Sequence, residues 1–293
     1  MVQLGAPRDG YVPVEGATLR YVIEGSGTDV LVLGSSVYYP RTFSAALRGE
    51  VRLVFMDLRH FSQGSEVDDH SRVTLDTYVD DIDRVRAALG IRRCVLVGHS
   101  HHGNVALEYS ARCPDRVTGL VLLGTPPCNV QRTVEAGRAY WDAHATQTRK
   151  AILERNLEAL AEHGLGADSA GHPFVARYVA EAPRYWADPG YDGSWLWRGV
   201  PVNAGALDAF RGFFVDYDFV GRWPGNGMPV MVVMGRHDYV VPPVLWDSPV
   251  SRLPGLTLHL FEHSGHTPQL EEPEHFDDVF RAWIDTVPSG VRG

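Results

Sequence analysis

Short apolar runs recur along the chain, and each is followed by a loop that contains Gly, Ser or Asp. Most of these runs are continuous stretches of Val, Leu or Met, a pattern typical of strands that are buried on both faces. The N-terminal run instead alternates like a half-exposed strand. In chain order the runs are GATLRYVIEG, DVLVLGSS, VRLVFMDLR, CVLVG, VTGLVLLG, MPVMVVMG and LTLHLFEH.

Segments with helical spacing separate several of these runs. From Thr74 to Leu89 apolar residues recur every three or four positions, and Gly90 follows as a C-terminal stop. Residues 104–111 are helical in pattern, and residues 273–287 form a helix with one apolar face. Strands that alternate with helices predict the α/β class, with a mostly parallel central sheet that helices cover on both faces.

The alternation stops at the sequence TPP, residues 125–127, and returns only at Met228. The segment between, residues 128–227, is helical and aromatic in composition and holds five of the seven tryptophans. We therefore predict one core, formed by residues 1–127 and 228–293, into which residues 128–227 are inserted as a helical, aromatic-rich cap.

Charge and cysteine content narrow the class of protein. The formal net charge of −9, without a basic cluster, argues against a nucleic-acid partner and against a membrane partner held by charge. Cys94, Cys113 and Cys128 are odd in number and lack zinc-site spacing, so neither a disulfide framework nor a structural metal is expected. No apolar run approaches the roughly 20 residues of a membrane span, and the N-terminus lacks a secretory pattern, so we expect a cytoplasmic protein.

The stretch VLVGHSHHGN, residues 95–104, places Ser100 between a predicted strand and a predicted helix. This arrangement lifts a serine hydroxyl out of the carboxyl edge of a sheet, where open parallel sheets bind ligands. Two roles remain open at this point, because Ser100 could be a nucleophile or could only cap the helix. The local motif G-x-S-x-G is imperfect, since His102 takes its fifth position and Gly103 comes one place late.

Two later loops contain the residues that would complete a catalytic triad. Asp238 follows the run MPVMVVMG, and His266 follows the run LTLHLFEH. Either residue alone would be an ordinary turn residue. The order serine, acid, histidine, with each residue placed after a predicted strand, predicts a Ser100–His266–Asp238 triad.

These motifs resemble those of the α/β-hydrolase fold family, and the resemblance spans nearly the whole chain. The matching segments are VLVGHSHHG, FMDLRHFSQGS, GRHDYVVPP and SGHTPQLEEP. Within the family, the inserted segment and GHTPQLEEP are most similar to proline iminopeptidase-type hydrolases and related small-molecule esterases. Members with an aspartate nucleophile, the epoxide hydrolases and dehalogenases, are disfavoured because position 100 is Ser.

The resemblance also implies which groups stabilise the oxyanion. The donors would be the backbone N–H of His101, directly after the nucleophile, and that of Ser36, with Ser35 as the near alternative. This chain departs from the family at that loop, where it has Gly34, Ser35 and Ser36 in place of the usual His-Gly. Backbone donors tolerate such side-chain changes, and no cofactor is implied.

The cap supplies the candidate substrate-binding residues. Its aromatic rings predict a small, largely apolar substrate, and a carboxylate within it could hold a protonated amine. The candidates are Trp141, Trp186, Phe213, Phe214, Glu181 and Asp216. The leading expectation is an aminopeptidase, similar to proline iminopeptidase, that removes an N-terminal aminoacyl group from a small or short peptide-like substrate.

Three other functions are alternatives to this one. A carboxylesterase or lactonase acting on an apolar small molecule needs no acidic group in the cap. A non-catalytic ligand receptor would use the same fold, because fold alone does not determine function. A metal hydrolase is disfavoured despite 13 histidines, since neither HExxH nor another metal-ligand spacing occurs. The oligomeric state is left open.

Overall fold

A computed structural model describes residues 8–63, 73–163, 172–225, 227–247 and 252–288. The end of the motif FMDLRHFSQGS, residues 64 and 65, lies outside these ranges. The strands of the described chain are β1 (Arg8–Val14), β2 (Ala17–Gly25), β3 (Thr28–Gly34), β4 (Val51–Asp57), β5 (Cys94–His99), β6 (Val117–Leu123), β7 (Val230–Gly235) and β8 (Leu256–Phe261).

The strands form one sheet in the order β1-β2-β4-β3-β5-β6-β7-β8. The pairs β1–β2 and β2–β4 are antiparallel, and all other neighbouring pairs are parallel. The sheet is therefore mostly parallel, as the alternation of strands and helices predicts. The edge strand β1 is an addition to the predicted set, because its sequence RDGYVPV lacks an apolar run.

Nine helices occur in the described residues: α1 (Leu75–Ala88), α2 (His101–Arg112), α3 (Val130–His144), α4 (Gln147–His163), α5 (Pro173–Ala180), α6 (Ala182–Tyr185), α7 (Ala204–Gly212), α8 (Pro268–Glu271) and α9 (Pro273–Ile284). Helices α3 to α7 all lie between β6 and β7 in sequence, where the inserted cap is predicted. None of the helices described is long and apolar enough to cross a membrane.

The central strands are buried on both faces because helices pack against each side. In β3, Leu31 and Leu33 join a hydrophobic cluster that contains residues of α1 and α2. The alternate residues Val30 and Val32 join a second cluster that contains residues of α9. This explains why β3, β5, β6 and β7 are continuous apolar runs rather than alternating ones.

The segment that carries α3 to α7, which we call the cap, packs into both of these clusters. Phe210 and Phe214 belong to the cluster with α1 and α2, whereas Tyr178 and Trp197 belong to the cluster with α9. Strands β5, β7 and β8 run parallel, so their carboxyl ends and the loops that follow them meet at one edge of the sheet. That edge is where open α/β sheets bind ligands.

Candidate active site

Ser100 lies in a strained turn between the end of β5 and the start of α2. Its backbone has φ 55° and ψ −135°, and it is the one non-glycine residue with positive φ among those described. Such a conformation costs about 1–3 kcal/mol and persists only where the surrounding structure enforces it. The Ser100 side chain makes no capping hydrogen bond to α2, so the alternative role of a helix cap lacks its defining contact.

Two glycines allow the helix to approach the sheet at this turn. A Cβ placed on Gly98 would lie 2.5 Å from the Cα of Gly103, and a Cβ on Gly103 would lie 2.0 Å from Oγ1 of Thr125. The close approach that the fifth residue of G-x-S-x-G normally permits therefore falls one residue later, at Gly103. His102 is free of that constraint, and its ring lines the cavity beside Ser100.

His266 and Asp238 are joined by a short hydrogen bond. Nδ1 of His266 lies 2.6 Å from Oδ2 of Asp238, and the carboxylate is fully buried. The other oxygen of Asp238 accepts the N–H groups of Val240 and Val241 at 2.9 and 2.8 Å. These contacts fix the carboxylate, so the N–H of His266 lies on Nδ1 and Nε2 is left as the basic nitrogen. His266 and Ser100 line the same cavity.

The loop that carries His266 is tied to the cap through Glu271. This carboxylate accepts the N–H groups of Ala187, Gly265 and Thr267 at 2.8, 3.0 and 3.1 Å. Burial raises the pKa of Glu271, and the three N–H donors oppose that rise. One side chain therefore anchors both flanks of the histidine and the cap segment that lies against it.

The backbone of His101 begins α2 directly after Ser100, at the lining of the cavity. The structure does not bring Ser36 to the position expected of the second oxyanion donor. Its N–H donates to Oδ1 of Asp57 at 2.6 Å, and neither Ser36 nor Ser35 lines the cavity. The reason is the register of the sheet, which pairs Gly34 with Asp57 and places the carboxylate against the loop after β3. Burial raises the pKa of Asp57 to about 6, although Ser36 donates to it.

A cavity of about 480 Å³ opens over Ser100 and His266, and most of its lining is apolar or aromatic. No Asp or Glu is among the described residues that line it, and Arg211 is the one Arg or Lys. The guanidinium of Arg211 lies over the ring of Phe174, with 5.4 Å to the ring centroid. The described lining thus offers no carboxylate to a substrate.

Three of the predicted aromatic residues pack within the cap or core instead of lining the cavity. Trp186 is 1% exposed and packs against the rings of Tyr178 and Tyr191. Trp141 packs on Tyr239, with its centroid 5.1 Å away. Phe213 packs edge-on against Tyr78. None of the three is in the cavity lining.

The other three predicted residues also lie outside the lining. Phe214 stacks on the imidazole of His101, with centroids 4.8 Å apart and planes within 7°. Glu181 forms an ion pair with Arg177 at 2.5 Å, and Asp216 is exposed. The acidic groups that an aminopeptidase would use are therefore not at the cavity.

Three cap helices contribute different residues to the cavity lining, and each set has helical spacing. In α3, α5 and α7 the lining residues recur about one helical turn apart. This spacing is the feature of the sequence that could have identified them. They are Val130, Thr133 and Val134 of α3, Phe174 and Tyr178 of α5, and Leu207, Phe210 and Arg211 of α7.

Four further histidines line the cavity besides His266. Burial lowers the pKa of His60 and of His99 to about 3, and that of His101 to about 4. Burial and the neighbouring imidazoles lower the pKa of His102 well below its usual range. These rings are neutral at physiological pH. Within the described ranges no set of three or more His, Cys, Asp or Glu is placed to hold a metal ion.

Comparison with known proteins extends this picture. The pattern of the alpha/beta hydrolase fold matches residues 32–273. The AB hydrolase superfamily protein YclE of Bacillus subtilis is 35% identical over 281 residues, which are 95% of this chain and 99% of that protein.

Solved structures share the same fold. A proline iminopeptidase-related protein of Thermus thermophilus superposes with a TM-score of 0.71 at 23% identity, covering 97% of this chain and 99% of that one. A thermophilic esterase of Thermogutta terrifontis has a TM-score of 0.67 at 20% identity, covering 96% of this chain and 100% of that one. The match of the family pattern over most of the sequence shows that the chain belongs to the alpha/beta hydrolase fold family.

Proposed function

We propose that this protein is a serine hydrolase that cleaves carboxylic esters of small apolar molecules. The observation that supports it is one cavity in which the strained Ser100 and the hydrogen-bonded pair His266–Asp238 meet an apolar lining. A nucleophile, a general base and a group that orients the base are the parts that acyl transfer requires.

In the proposed reaction, Nε2 of His266 accepts the proton of the Ser100 hydroxyl as its oxygen attacks the ester carbonyl. Asp238 holds the ring in the Nδ1–H tautomer through its 2.6 Å contact and stabilises the imidazolium that forms. The N–H of His101, at the start of α2, donates to the oxyanion. His266 then protonates the leaving alkoxide and activates a water molecule, which hydrolyses the acyl-enzyme.

The cavity lining favours an ester over an aminoacyl substrate. A protonated amine that leaves water needs a carboxylate partner, because an unpaired buried charge is costly. The described lining contains neither Asp nor Glu, and the candidates Glu181 and Asp216 lie elsewhere. An uncharged ester or lactone meets no such cost. This supports the esterase alternative over the aminopeptidase that the sequence favoured.

The test is hydrolysis of matched chromogenic substrates. We expect turnover of 4-nitrophenyl hexanoate, and no gain when N-acetyl-leucine 4-nitroanilide is replaced by leucine 4-nitroanilide with its free amine. The Ser100→Ala variant should lose turnover by about 10⁴-fold or more. Ser110→Ala is the matched control, because Ser110 is buried on the same helix and bonds only the carbonyl of Leu107 at 2.8 Å.

Other outcomes would overturn parts of the proposal. A strong preference for the free amine would make the protein an aminopeptidase. Full activity in Ser100→Ala would exclude this serine as nucleophile. A single round of acylation without turnover in the wild type would instead favour a ligand receptor.

A further inference from the structure

Five buried side chains form a continuous series of hydrogen bonds beside the cavity, which we call the His–Tyr chain. All five are at most 8% exposed, and they come from four separate parts of the sequence, since His99 and His102 lie three positions apart. The links are Tyr78 Oη to His60 Nδ1 at 3.0 Å, His60 Nε2 to His102 Nε2 at 3.0 Å, His102 Nδ1 to Tyr39 Oη at 3.0 Å, Tyr39 Oη to His99 Nδ1 at 3.2 Å, and His99 Nε2 to the carbonyl oxygen of His266 at 2.7 Å.

The last link fixes the direction of the others. A carbonyl oxygen only accepts, so Nε2 of His99 carries its hydrogen and donates to His266. In a neutral imidazole the second nitrogen is then an acceptor, so Nδ1 of His99 accepts the hydroxyl hydrogen of Tyr39. That hydroxyl has a single hydrogen, and its oxygen is therefore the acceptor toward the next ring.

The same reasoning continues to the far end of the His–Tyr chain. Nδ1 of His102 must donate to the oxygen of Tyr39, which leaves Nε2 of His102 as an acceptor. Nε2 of His60 then donates to it, and Nδ1 of His60 accepts the hydroxyl hydrogen of Tyr78. With neutral rings this is the single arrangement that satisfies all five links, and every hydrogen points toward His266.

The His–Tyr chain reaches the candidate general base itself. Its final link holds the carbonyl of His266, while the N–H of His266 donates to the carbonyl of Tyr185 at 2.5 Å and Nδ1 bonds Asp238. The rings of His99 and His266 also lie in contact, with centroids 4.6 Å apart. Both polar backbone groups and one ring nitrogen of His266 are thus engaged, and Nε2 remains for the reaction.

We propose that the His–Tyr chain positions His266, with Tyr39 and His99 as its key positioning residues. It does so by holding the main-chain carbonyl of this histidine through a one-directional series of hydrogen bonds. The inference rests on the proposed function, because it assigns a task to residues that act through the candidate general base. It also explains a histidine at position 102, the fifth position of the motif G-x-S-x-G, since that ring links the loops after β3 and β4.

The first experiment reads the hydrogens without any assay of activity. Long-range ¹H–¹⁵N spectra of the ¹⁵N-labelled protein identify which ring nitrogen of each histidine carries a hydrogen. We expect Nε2–H for His99, Nδ1–H for His102 and Nε2–H for His60. An Nε2–H tautomer at His102, or a positively charged ring at any of the three positions, would overturn the assigned direction.

The second experiment breaks the His–Tyr chain at its centre. Tyr39→Phe removes one oxygen and two links while keeping the ring. We expect kcat for ester hydrolysis to fall about tenfold, with KM changed less than about twofold, and the Nδ1–H proton resonance of His266 to shift. The control Tyr109→Phe removes a buried hydroxyl of α2 that is bonded to Asp83 and Arg86 of α1, outside the cavity lining, and should lower stability without changing kcat or that resonance.

A conservative variant completes the test. His99→Gln keeps an N–H donor near the position of Nε2 and should retain most of the kcat that His99→Leu loses. If Tyr39→Phe and His99→Leu leave both kcat and the His266 resonance unchanged, the positioning role is wrong. If the wild type hydrolyses no ester while Tyr39→Phe still shifts the resonance, the proposed function fails and the structural link to His266 stands.

Discussion

At the scale of single residues, the turn at Ser100 shows how the fold presents a hydroxyl. The positive φ of Ser100 is unfavourable for any residue with a side chain, and glycine adopts it more readily. The conformation is held by the close packing of Gly98 against Gly103. The native turn therefore costs stability at the residue proposed as the nucleophile.

This strain predicts different stabilities for two inactive variants. Ser100→Ala keeps a Cβ at φ 55°, whereas Ser100→Gly removes it, so the glycine variant should be more stable by about 1 kcal/mol. Urea unfolding of both variants measures the difference, and 4-nitrophenyl hexanoate checks that neither turns over. An alanine variant as stable as the glycine variant would show that the turn is unstrained.

The acid and the base of the predicted triad both follow apolar runs in the sequence. Asp238 follows the buried strand β7 and His266 follows the partly exposed edge strand β8, so the topology brings them together, and the structure joins them at 2.6 Å. Ser36 also follows a strand, but its N–H is taken by Asp57 through a register that no local motif encodes. The His–Tyr chain was missed because Tyr39, His60 and Tyr78 lie far in sequence from His99 and His102, and no motif links the three to that stretch.

At the scale of elements, the cap helices determine the shape of the cavity. Composition indicates that the cap is aromatic but not which side of each helix faces the sheet, so Trp186 and Phe214 were misplaced and the lining of α3, α5 and α7 was not found. Residues spaced by one helical turn share a face of their helix. Which face lines the cavity follows only once one residue of the helix is known to line it. On the side of α3 that lines the cavity, Val134 is accessible to solvent, since it is 53% exposed.

Enlarging Val134 should therefore restrict the cavity without disturbing the packed core. We expect Val134→Trp to lower kcat/KM for 4-nitrophenyl decanoate at least about tenfold more than for the acetate, because the larger side chain narrows the entrance that long acyl groups occupy. The matched control is Val220→Trp in the same cap, where the valine is 56% exposed and outside the lining. Equal losses for the two esters would place the acyl group elsewhere.

At the scale of the whole molecule, folding buries several imidazoles in neutral form. For His60 the pKa is lowered by burial to about 3, whereas in the unfolded chain it is about 6.5. Between these values the unfolded chain binds one more proton than the native protein at this ring. The free energy of unfolding contributed by His60 therefore falls as the pH drops below about 6.5.

Comparison of the wild type with His60→Gln separates the contribution of His60 from that of the carboxyl groups, because the carboxyl groups titrate equally in the two proteins. From about pH 7 to about pH 5, the free energy of unfolding should fall about 2 kcal/mol further in the wild type than in His60→Gln. Urea titrations at the two pH values measure this, and above about pH 7.5 the difference between the proteins should stay constant. Parallel loss in both proteins down to pH 5 would mean that His60 is charged in the native state.

The position of the cap in the sequence has a consequence for biosynthesis. Ser100 and His101 precede helices α3 to α7, whereas Asp238 and His266 follow them. A ribosome therefore completes the turn at Ser100 and the entire cap before it has made the acid and the base of the proposed triad. Because β7 and β8 must join the sheet before His266 can meet Ser100, the proposed mechanism implies that a nascent chain has no reactive serine until the cap has been translated.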